Sequence, residues 1–129
     1  MKIIPVLIVV GIINGSAFAQ TKQVIGTAGY LSEWEISGTV VTERSSAASD
    51  LFAGPVIWKH VGLCSINGPE EKPGEIRLEI RASRLGSRIE ANLLVEGDQC
   101  VYAGDFTHGA SGLMNCTKAK GVPLALSFK

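Results

Sequence analysis

From Trp34 onward, apolar and polar residues alternate with a period of two, the mark of strands with one buried and one wet face. The clearest stretch is Glu75-Ile76-Arg77-Leu78-Glu79-Ile80-Arg81-Ala82, in which even positions are apolar and odd positions alternate acid and base. The next places Ile89, Ala91, Leu93 and Val95 on one face, and the turn-like Ser83-Arg84-Leu85-Gly86-Ser87 lies between the two. Register follows from keeping both apolar faces together, since a slip of one residue would turn the buried set outward. Pairing Ala82 with Ile89 and Ile80 with Ala91 also sets Arg81 against Glu90, a favourable cross-strand pair.

The same reasoning carries to the C-terminus. A tight Gly97-Asp98 turn places Glu96 beside Gln99, Val95 opposite Cys100, Leu93 opposite Tyr102 and Ala91 opposite Gly104. The loop Thr107-His108-Gly109 then folds Phe106 onto Ala110, Tyr102 onto Met114 and Cys100 onto Cys116. A last turn at Ala119-Lys120-Gly121 aligns Cys116 with Leu124 and Met114 with Leu126, leaving Ala125 and Ser127 facing water. Four consecutive hairpins agree on one face, and such mutual consistency is the property of a foldable pattern.

The front half is less regular. Residues 34–42 read as a strand, 44–54 as a serine- and alanine-rich loop, and 55–64 as a strand, with a short helix as the alternative. Residues 65–74 form a turn-rich loop carrying Glu70 and Glu71, and 20–32 form a weakly patterned arm. The expected fold is all-β: a single-domain antiparallel meander of about seven strands over 33–129. A meander of this size hides its edges by curling into a small barrel or closed sandwich.

The first nineteen residues are of another kind. Lys2 precedes an apolar run from Ile3 to Ile13 and a small-residue site, Ala17-Phe18-Ala19, the order of regions in a secretory signal peptide. The run is too short to cross a bilayer as a helix, which needs about 20 residues. Cleavage after Ala19 would leave 110 of the 129 residues, with Gln20 first and no membrane span. The expected location is periplasmic or extracellular. The mature chain would carry eleven basic and twelve acidic side chains, and this balance argues against nucleic acid as a partner, which needs a basic field. An oxidising compartment bridges cysteines. Of the three present, the hairpin register selects Cys100 with Cys116 and leaves Cys64 over.

Catalytic signals are weak. Asp105, His108 and Ser111 are spaced three apart, but the hairpin puts His108 at a loop tip, without an oxyanion-hole motif. His60 and Cys64 would stack on a helix as a thiolate–imidazole pair, whereas on a strand they lie about 13 Å apart. Zinc at His60, Cys64, Cys100 and Cys116 lacks the close ligand pairs such sites use, and a bridge would consume two of them. No phosphate loop or dinucleotide fingerprint occurs, so neither a metal nor a cofactor is expected. Asn115-Cys116-Thr117 matches a glycosylation sequon, inside an expected strand. Of the aromatics, which also serve as core bulk, Trp34, Trp58 and Tyr102 are the expected lining of any ligand cavity at a barrel mouth. The expected function is an exported, non-catalytic binding module contacting a protein or a small molecule. The alternatives are a thiol enzyme using Cys64 with His60, or a structural subunit of an envelope assembly.

Overall fold

The computed structural model describes residues 20–61, 70–107 and 109–129. They form a closed antiparallel barrel of eight strands in simple sequence order. The strands are β1 (Thr21–Ala28), β2 (Trp34–Ser45), β3 (Ser49–His60), β4 (Glu71–Ser83), β5 (Gly86–Val95), β6 (Asp98–Phe106), β7 (Gly109–Cys116) and β8 (Val122–Phe128). No helix among the described residues is long and apolar enough to cross a membrane. The all-β meander expected from the alternation is therefore present, with one more strand than anticipated.

That extra strand is the segment expected as an arm. Val24, Gly26 and Ala28 of β1 share the inward face with Ile36 and Leu126. Two of those three inward positions of β1 are glycine or alanine, so the alternation is faint in the sequence. The barrel domain thus begins at Thr21, not at residue 33. The presumed loop over 44–54 shrinks to a short turn, because β2 runs to Ser45 and β3 starts at Ser49. Residues 55–60 are strand rather than helix, and the expected loop ends earlier, at Glu71.

The registers keep the expected faces but shift by even numbers of residues. Ile80 meets Ile89 and Leu78 meets Ala91, so Glu79 faces Glu90 and Arg81 faces Arg88. The cause is a tighter turn: Ser83 pairs with Gly86, with only Arg84 and Leu85 between. Likewise Val95 meets Asp98 and Leu93 meets Cys100, because the turn residues are Glu96 and Gly97. Both have positive φ, 47° and 76°, as the two-residue hairpin that matches strand twist requires. Met114 meets Val122 rather than Leu126. Only the Cys100–Cys116 pairing stands as expected.

Inward residues from all eight strands fill the interior. Val24, Ile36, Val40, Val56, Ile76, Leu78, Ile89, Leu93, Met114 and Leu126 are almost wholly buried, and no polar or charged residue among those described is buried with them. Eight strands leave an interior just wide enough for side chains to fill, so the interior of the described barrel leaves room for a ligand where this packing stops.

Candidate functional site: a cavity at one barrel end

Packing stops at the end where β1, β3, β5 and β7 finish and their successors begin. A cavity of about 310 Å³ opens there, lined on its apolar side by Trp34, Trp58, Val95, Met114, Val122 and the Cys100–Cys116 pair. Strand register explains the convergence. Trp34 opens β2 opposite His60, and Trp58 lies two residues earlier on the same face of β3. Lys72 sits opposite Trp58 on β4. The indole of Trp34 meets the Trp58 ring edge-on at 6.5 Å and the His60 ring at 4.6 Å, arrangements favoured by the ring quadrupoles.

The ammonium of Lys72 lies 4.9 Å from the centroid of Trp34. It is also 3.2 Å from Glu96 Oε2 and 3.7 Å from Glu70 Oε1. Glu33, Glu96, Asp98 and Lys118 complete the charged rim. The Glu33 carboxylate accepts the Leu31 N–H at 2.9 Å. Backbone N–H groups, its own first and then that of Leu31, hold its pKa below the ordinary value against the smaller opposing effect of burial. The Tyr30 hydroxyl donates to the Lys120 carbonyl at 3.2 Å, which ties the β1–β2 turn to the β7–β8 turn across the rim. The Trp58 Nε1–H is buried without an acceptor among the described residues and packs over Gly74, where a Cβ would come within 3.3 Å of it.

The expected lining residues divide. Trp34 and Trp58 face the cavity, but Tyr102 does not. Its ring is buried in the core, filling the space that Gly104 and Gly112 leave on the inner face, and its hydroxyl donates to the Ser111 carbonyl at 3.2 Å. Cys100 and Cys116 form the expected disulfide, with Cα atoms 3.9 Å apart. Asp98 lies within 4.8 Å of both sulfurs, yet the bridge removes the thiolates that a metal would need.

His60 is in place beside Trp34, while its supposed partner Cys64 lies outside the described residues, as do His108 and the segment before Gln20. Asp105 is exposed near Arg88 at 3.5 Å, and Ser111 is exposed on β7. Asn115 of the sequon accepts the Gly121 N–H through its side chain at 3.2 Å.

Lys72 is one of several lining residues, with Met114, Val122 and Glu96, that the sequence does not single out; it falls in 65–74, which reads as a loop. A signal was present: positions 72 and 74 continue the even, inward phase of Ile76, Leu78 and Ile80. No known protein-family model, curated protein or solved structure matches the chain.

Proposed function

We propose that this protein is an exported, non-catalytic binding module that takes a small, largely apolar ligand into the cavity at this barrel end. One observation carries the reading. In a barrel otherwise filled by its own side chains, two tryptophans, a methionine and a disulfide surround about 310 Å³ of space ringed by charged groups. A concave apolar pocket with a few convergent polar groups is the usual form of a small-molecule site. The order of regions before Gln20 supports export, and a disulfide suits an oxidising compartment.

Native mass spectrometry tests the reading. The protein is incubated with a small-molecule extract of the cell envelope or culture medium, beside a Val122→Trp variant whose larger side chain fills the cavity. One-to-one adducts on the wild type that the filled variant lacks are expected. Adducts absent from both, or equal on both, would sink the proposal.

A further inference from the structure

The charged groups at the cavity mouth are arranged as a seat for a positive charge, and a positive charge already occupies it. The Lys72 ammonium rests over the face of Trp34 at 4.9 Å, with the Glu96 and Glu70 carboxylates at 3.2 and 3.7 Å. An indole face attracts cations through its quadrupole, most strongly where water is partly excluded. Lys72 is three-quarters buried, so part of that exclusion is in place. The lining has three carboxylates, Glu33, Glu96 and Asp98, against two ammoniums, Lys72 and Lys118. Glu70 stands just outside and adds to the negative side.

We infer that the cavity takes a small organic cation, an alkyl or quaternary ammonium whose head displaces the Lys72 ammonium from Trp34 while its apolar part lies against Trp58 and Met114. This rests on the ligand cavity proposed above and names the class of its ligand. The displacement is feasible because lysine carries its charge on a flexible four-carbon stem that can swing to solvent. A quaternary head keeps the attraction to the ring and both carboxylates and sheds a weaker hydration shell than lysine does. An anionic ligand would instead have to approach against the net charge of the lining, and Lys72 could reach it only by leaving its two glutamates.

Three probes with similar tert-butyl-like heads separate the possibilities: choline, its uncharged isostere neohexyl alcohol, and the anion pivalate. Titration of the disulfide-bonded protein, followed by tryptophan fluorescence and calorimetry, should show choline binding about tenfold tighter than neohexyl alcohol, with pivalate weakest. Lys72→Met keeps the stem and removes the competitor, so it should tighten choline several-fold. Trp34→Leu should erase the preference for choline over the alcohol. Neohexyl alcohol or pivalate binding as well as choline, or weaker choline binding by folded Lys72→Met, would overturn the inference and leave the cavity reading standing. Failure of all three probes overturns it as well. The mass-spectrometric adducts then decide the cavity reading separately.

Discussion

Tyr102 donates its phenol to the carbonyl of Ser111 across the β6–β7 seam, and its ring occupies space that two glycines leave open. A Cβ at Gly112 would come within 2.9 Å of the ring. Tyr102→Phe keeps the ring and removes the donor, so it should cost about 1 kcal/mol, the net worth of one such bond. Gly112→Ala should cost more, about 1–3 kcal/mol, because the ring must shift within a packed core. Urea unfolding of the three proteins measures both, and equal stabilities would show that the seam does not depend on this side chain. The sequence reading took Tyr102 for a cavity residue because alternation assigns a face and not a depth along the barrel.

Glu33 makes a second residue-scale case, this time for pH. Its folded pKa lies below the ordinary value of 4.5, so the proton binds less readily in the folded chain than in the unfolded one. The stabilising contribution is therefore fully present above the unfolded value and is lost as pH falls through the folded one. Because the carboxylate is held by the Leu31 N–H, that amide signal should move with pH below 4.5 in an NMR titration. Glu33→Gln should remove the movement. An unmoved Leu31 signal would mean that the rim turn is held by other contacts.

At the scale of elements, the ladders differ greatly in length. Pairing of β3 with β4 runs without a break from Ser49 opposite Arg81 to Lys59 opposite Glu71, whereas β6 and β7 pair only at Cys100–Cys116 and Val101–Asn115 among the described residues. The disulfide staples this short ladder at the cavity end, and Tyr102 covers the seam from inside. Closing the loop between cysteines sixteen positions apart in sequence is worth about 3 kcal/mol in the chain-entropy model. Reduction, or Cys100→Ser with Cys116→Ser, should lower the melting temperature and release the amides of β6 and β7 to hydrogen exchange ahead of those in β3 and β4. Uniform release would mean that the seam is no weaker than the rest.

The legibility of the registers has a physical limit at this scale. Hydrophobic alternation fixes which face is buried, so every misplaced pair is off by an even number of residues. The offset itself belongs to turn geometry. A non-glycine residue with positive φ, Glu96, gives no signal in a pattern of apolar and polar positions.

Closure is the property of the whole molecule, and it depends on β1. Val24 pairs with Gly38 of β2 and with Phe128 of β8, so the first strand of the barrel is also its last joint. The backbone groups of Gln23 and Lys129 exchange hydrogen bonds at 3.1 and 3.0 Å, which carries the joint to the end of the chain. Without β1, the facing edges of β2 and β8 would present unpaired donors and acceptors, a template for pairing with another chain. The inward face would also lose Val24 and Ala28, both almost wholly buried. A chain starting at Gln20 keeps all of this and should be a cooperatively unfolding species with a strand-dominated circular dichroism spectrum. A chain starting at Gly29 differs by only nine residues yet should self-associate on size-exclusion chromatography and lose its sharp urea transition. A monomeric, cooperative chain lacking β1 would show that the remaining strands close upon themselves, and that the segment read from sequence as an arm was, energetically, an arm after all.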